Sequence, residues 1–122
     1  MPAHTLSLKD PSLLKSQCLV DGRWIDAPGG ATLDVTNPAD GSVVGKVPVL
    51  PAAAIRDAIA ASAKAFPAWA AKTAKERSAT LRKWFDLIVA NADDIALIMT
   101  SEQGKPLAEA RGEVLYAASF IE

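Results

Sequence analysis

The sequence predicts an α+β chain, with β-hairpins over residues 18–48 followed by about four helices over residues 52–122. Three observations carry this. Asp21-Gly22 stands between short apolar runs, the turn chemistry of a two-residue hairpin. After Pro51 the apolar period changes from two residues to the helical i, i+3, i+4 spacing. Glu102-Gln103-Gly104-Lys105-Pro106 then encodes a helix stop, a turn and a restart.

Residues 1–16 form a loose, weakly patterned arm. Pro2, Pro11 and scattered serines allow a short helical turn at Ser12-Leu13-Leu14-Lys15, whose leucines must dock if the arm is ordered. Cys18-Leu19-Val20 and Arg23-Trp24-Ile25 flank the Asp-Gly pair, since both central residues of a type I′ turn need positive φ. Pro28-Gly29-Gly30 is a loop. Thr32-Leu33-Asp34-Val35-Thr36 alternates apolar and polar residues and reads as a strand. Asn37-Pro38-Ala39-Asp40-Gly41 is dense in turn residues, and Ser42 to Pro48 is the return strand. Isolated hairpins are marginal in water, so these strands need a surface to lie on.

Ile55, Ala58, Ile59, Ser62, Ala63 and Phe66 share one face of the first helix, which Pro67 is expected to end. Ala68-Trp69-Ala70 then reads as a short connector with its tryptophan in the core. Thr73-Ala74-Lys75-Glu76 fits a capping box. The helix it opens places Leu81, Trp84, Phe85, Ile88, Val89 and Ala92 together. Asn91 or Asp93 is expected to break that helix and cap a third, with Ile95, Ile98 and Met99 inward. Gly104 sits where a left-handed C′ residue would end the third helix. Pro106 suits the first turn of the fourth, whose apolar face is Leu107, Ala110, Val114, Ala117, Ala118 and Ile121. The chain stops at Glu122 in phase with that face and without a stop signal. A fraying last helix is one reading. Continuation into a longer chain is the other, and the thin core favours it.

Half of the 122 residues are hydrophobic, but 24 residues are alanine, which buries little area. A sufficient core would need alanine-rich helices packed closely around a limited set of large residues, Trp24, Trp69, Trp84, Phe66, Phe85, Phe120 and the Leu, Ile and Val positions. The net charge of −1, with both signs interspersed, excludes the basic stripe of a nucleic-acid binder. No apolar run reaches the length of a membrane span, and the N-terminus lacks the pattern of a signal peptide. A single cysteine forms no internal disulfide. These features predict a soluble, cytoplasmic chain.

Cys18 is the one thiol, and its only histidine companion is His4 in the arm. Nucleophilic catalysis needs a base or a lowered thiol pKa, so Cys18 reads as structural or incidental. His4 alone cannot make a metal site and reads as a disordered terminal residue. The glycines form no phosphate-cradling loop. Lys72, Lys75, Arg77, Arg82 and Lys83, interleaved with Glu76 and Asp86, read as a solvated face or as a rim where another domain lands. Asp93-Asp94 reads as helix capping rather than paired catalytic acids. Glu102 opposes the dipole of its own helix, which points to a compensating partner: Lys105, an arginine or a bound cation. No catalytic or cofactor-binding residue is therefore assigned within the chain.

Three segments together resemble the N-terminal part of the aldehyde dehydrogenase superfamily. They are Val20-Asp21-Gly22-Arg23-Trp24, Val35-Thr36-Asn37-Pro38-Ala39-Asp40-Gly41, and Glu102-Gln103-Gly104-Lys105-Pro106-Leu107-Ala108-Glu109-Ala110. Pro67-Ala68-Trp69 and Glu76-Arg77 fall between them in the order the family shows, and the resemblance covers residues 17–122. Leu81-Arg82-Lys83-Trp84-Phe85 and Tyr116 to Glu122 make the chain look most like bacterial NAD(P)-dependent succinate-semialdehyde dehydrogenases.

The resemblance implies that residues 17–122 are a truncated N-terminal part of the coenzyme-binding domain of the α/β aldehyde dehydrogenase fold. It implies an oxidoreductase that turns succinate semialdehyde or a related aldehyde into the acid, with NADP or NAD in the complete enzyme. In that family a cysteine thiolate attacks the aldehyde, hydride passes to the nicotinamide, and a glutamate activates water to hydrolyse the thioester. Those residues lie downstream of Glu122 in such enzymes, and Cys18 matches none of them. The fragment alone is thus expected to bind no coenzyme and to be inactive. Its partners would be the remainder of its own chain and further copies, as a dimer or tetramer, with no nucleic acid or membrane. One site carries over: a structural monovalent cation held by Val35 and Thr36, through backbone carbonyls, and by Glu102. The alternative is a stand-alone helical scaffold or protein-interaction module.

Overall fold

A computed structural model describes residues 6–122. Two antiparallel hairpins lead into four helices. The first pairs β1 (Cys18–Val20) with β2 (Arg23–Ile25), with Leu19 opposite Trp24. Its turn residues Asp21 and Gly22 have φ of 50° and 72°, both positive, as the Asp-Gly signal requires. The second pairs β3 (Thr32–Thr36) with β4 (Val43–Pro48). The register runs from Thr32 opposite Pro48 to Val35 opposite Gly45, then slips so that Thr36 faces Val43. Val44 is the extra residue of that bulge, and it is buried. The intervening turn is closed by the Asn37 side chain, which accepts from the Ala39 N–H, and by the Gly41 N–H donating to the Asn37 carbonyl.

Helix α1 spans Ala52–Ala70, α2 Ala74–Ala90, α3 Ala92–Gln103 and α4 Leu107–Ser119. Pro67 does not end α1, as expected from the sequence, but lies inside it. Proline removes only its own N–H; its carbonyl still accepts from Ala71 at 3.0 Å, which lets the last turn close. Trp69 is consequently a half-buried residue of a helix and not part of a connector. The Arg77 guanidinium donates to the Lys72 carbonyl at 2.7 Å, just past the C-terminal end of α1. One member of the basic series thus serves a helix end.

The capping box at Thr73 is complete. Its hydroxyl accepts from the Glu76 N–H, and the Glu76 carboxylate accepts from the Thr73 N–H at 2.8 Å. Asn91 occupies the junction of α2 and α3, yet its side chain does not cap α3. Its amide donates backward to the Leu87 carbonyl at 2.8 Å, finishing α2 instead.

The core sits where α3 crosses α4. Ala92, Ala96, Ala110 and Val114 are buried, with Ile88, Ile95 and Met99 packed against them. Ala110, Val114 and Ala118 follow the i, i+4, i+8 spacing of one helix face. The large aromatics do not fill this core, contrary to the sequence expectation. Phe66 is 66% exposed, Trp84 55% and Phe120 73%. The residues buried between these helices are small, and the rings lie outside the seam they form. Helix α1 buries no residue, and its Ile55, Ile59 and Phe66 stripe faces outward. The chain exposes 8482 Å². A compact monomer of 12.8 kDa would expose about 6,300 Å².

The arm is not loose over its described part: a 3-10 turn at Pro11–Leu13 is capped by Asp10 and tied to α3. His4 lies outside the described residues.

Donation from the Thr73 N–H and then its hydroxyl lowers the Glu76 carboxyl below its ordinary range. The contribution is present above the ordinary glutamate pKa and is lost as pH falls through the lowered folded value. Thr73→Ala is expected to cost about 1 kcal/mol at neutral pH. Urea unfolding as a function of pH should also show a shallower acid loss of stability in this variant than in the parent.

Candidate functional site

Where α3 ends, the chain must reverse into α4. Gly104 does this in the left-handed region, with φ 80° and ψ 7°, and its N–H donates to the Thr100 carbonyl at 2.8 Å. Pro106 has the extended ψ of 136° and stands at the N-cap, so α4 begins one residue later than expected, at Leu107. A residue at N-cap keeps non-helical dihedrals, and the fixed φ of proline accommodates them.

This turn does not stand alone. A Cβ built on Gly104 would lie 2.9 Å from Cγ of Pro38, inside the turn between β3 and β4. The end of α3 and the end of β3 therefore meet at one corner. The three residues proposed from sequence, Val35, Thr36 and Glu102, lie on the two elements that form it. Val35 is half-buried at the bulge, Thr36 closes the strand, and Glu102 is exposed on the last turn of α3. Lys105 does not serve as the partner of Glu102; it pairs with Glu113 of α4. No arginine takes that role either, and among the described residues nothing pairs with the Glu102 carboxylate. The Thr100 hydroxyl, two residues earlier, is buried and has no hydrogen-bond partner among the described residues.

The other candidates fall elsewhere. Cys18 is half-buried on the first hairpin. No group of three His, Cys, Asp or Glu side chains placed to hold a metal occurs among the described residues. Asp93 and Asp94 do not cap their own helix. Asp94 is 5% exposed, and its two oxygens accept from the backbone N–H groups of Lys9 and Asp10 at 3.0 and 2.8 Å. Asp93 pairs with Arg111 and Lys9. The Arg111 hydrogen bond, and after it that of Lys9, holds its carboxyl below the usual aspartate range. Sequence reading missed the Asp94 role because its partners are main-chain groups some 85 positions away, which no residue type announces.

The aldehyde dehydrogenase family profile matches residues 24–122. The chain belongs to the aldehyde dehydrogenase family. It is 58% identical over 117 residues to a glutarate-semialdehyde dehydrogenase of Pseudomonas putida, a match covering 96% of this chain and 24% of that protein. It is 54% identical, with the same coverage, to the NADP(+) succinate-semialdehyde dehydrogenase of Escherichia coli. A crystal structure of an aldehyde dehydrogenase from Brucella melitensis biovar abortus superposes with a TM-score of 0.95 at 80% identity, over 97% of this chain and 24% of that one. The chain thus spans about a quarter of the length of these relatives. The hairpins and four helices are the N-terminal part of the aldehyde dehydrogenase fold, as the sequence resemblance implied. No helix is long and apolar enough to cross a membrane among the described residues.

Gly104→Ala is expected to destabilise the protein by at least about 1 kcal/mol, the cost of a Cβ in the left-handed region. Contact with Pro38 adds to this. A double-mutant cycle with Pro38→Ala, read by urea midpoints, should recover the contact part and leave the conformational part.

Proposed function

We propose that this chain is the leading part of an NAD(P)-dependent dehydrogenase that oxidises succinate semialdehyde, glutarate semialdehyde or a related aldehyde to the acid. The observation that carries the reading is its identity of 54–58%, over nearly its whole length, to dehydrogenases of those two semialdehydes. Both are short aldehydes with a distal carboxylate, so the substrate class is an ω-oxo acid. The nicotinamide coenzyme would accept the hydride when bound, and the nucleophile and base belong to sequence beyond Glu122. Cys18, on a short hairpin strand, is not assigned to that chemistry. In this reading the 122 residues scaffold the coenzyme-binding domain and perform no step themselves.

The exposed stripe of α1, and Leu87 and Trp84 of α2, are then surfaces for the remainder of the chain. The complete enzyme would be a cytoplasmic homo-oligomer without nucleic-acid partners, consistent with the near-neutral charge. Formation of reduced nicotinamide tests the assignment. The chain continued through its reading frame should oxidise succinate or glutarate semialdehyde with NADP or NAD, whereas the 122 residues alone should not exceed a mock-purified control. Turnover by the short chain, or a frame that stops at Glu122, would overturn it.

The corner of β3 and α3 fits a structural monovalent cation held by carbonyls of Val35 and Thr36 and by the Glu102 carboxylate. The donors are all oxygen, Glu102 lacks a protein partner among the described residues, and the C-terminal end of a helix favours positive charge. Crystals soaked in rubidium should show an anomalous peak within coordination distance of Glu102, lost in Glu102→Ala. A parent crystal without that peak would remove the site.

A further inference from the structure

Among the described residues, the arm ahead of the first hairpin is hydrogen-bonded to the N-terminal turn of α3. Asp94 is the third residue of that helix. A carboxylate there would ordinarily reach back to the N-cap N–H. Here α2 runs almost directly into α3, and the Asn91 N–H is already taken by the Leu87 and Ile88 carbonyls at 3.2 Å. Asp94 is left free to bond elsewhere. It bonds the Lys9 and Asp10 amides with one oxygen each, from a buried position. Asp10 then caps the 3-10 turn Pro11–Leu13 by accepting from the Ser12 N–H. That turn delivers Leu13 to an apolar groove lined also by Trp84, Leu87, Ile88 and Ile95. The groove is about 350 Å³ in volume.

We propose that residues 9–13 are a strap latched by Asp94, and that releasing the latch uncovers the groove between α2 and α3. Asp10 and Leu13 of the strap form one wall of that groove, so it loses that wall when the strap lifts. Two charge-assisted bonds from main-chain donors to one buried carboxylate outweigh the partial burial of a single leucine. The latch therefore decides whether the strap is closed. The surface charges around it decide little. The Lys9 and Arg111 pairs to Asp93 join groups that are all more than half exposed, where ion pairs contribute weakly and are screened by salt.

Hydrogen exchange of the purified protein separates these roles. Asp94→Ala leaves both amides without an acceptor, and exchange at Lys9 and Asp10 should rise at least about tenfold, the loss expected for hydrogen bonds to a charged group. Asp94→Asn keeps one acceptor oxygen and should fall between parent and alanine variant. Trypsin should cut after Lys9 faster in the same order. Asp93→Asn should leave the Lys9 and Asp10 amides protected. Amides of α3 and α4 around Ala96 and Ala110 serve as an internal reference for global folding. If Asp94→Ala disturbs that reference, the asparagine variant decides alone. Parent-like exchange at Lys9 and Asp10 in a folded Asp94 variant would overturn the latch. Equal opening in Asp93→Asn would also overturn it, since surface charge would then hold the strap.

Discussion

The α3–α4 seam is the contact on which the rest of this structure hangs. Ala92, Ala96, Ala110 and Val114 are its buried residues, and small side chains suit a close approach of two helices. That approach requires the chain to reverse within three residues between Gln103 and Leu107. Only a residue tolerant of positive φ can make that reversal and also lie against Pro38. Gly104 therefore couples the helical seam to the second hairpin, and through it β3 finds its place against α3.

A seam built of alanine has a consequence for the rest of the surface. Small side chains bury little area, so the seam alone cannot give a chain of this length an ordinary core. The aromatic and branched residues that would normally do so lie on outer faces of α1, α2 and α4. In a dehydrogenase four times as long these faces are where neighbouring elements would pack. The chain exposes more surface than a compact monomer of its mass would, and it spans about a quarter of the length of the relatives it matches.

Charge is used in two distinct ways. On the surface, pairs such as Arg82 with Asp86 and Arg111 with Asp93 decorate helices and contribute little. Inside, the Asp94 carboxylate, the one buried among the described residues, accepts from the Lys9 and Asp10 main-chain N–H groups and ties that stretch to α3. The difference is desolvation: a buried carboxylate must be bonded, whereas an exposed one need not be.

Local chemistry was legible in the sequence alone. Asp21-Gly22, Thr73 with Glu76, and Gly104 each act through neighbours within a few residues, so their turns, caps and stops could be read from residue type and spacing. The family could be read from the same motifs, because their order along the chain is itself a pattern. What only the tertiary structure decided involves groups distant in sequence. Whether Pro67 ends a helix depends on the turn that closes beyond it. Whether Trp84 and Phe66 are core depends on how closely alanine seams pack elsewhere. The partners of Asp94 are backbone amides, which every residue carries and none advertises. The corner where the end of α3 meets the end of β3 arises because Gly104 lies against Pro38, a contact between two turns some 66 residues apart.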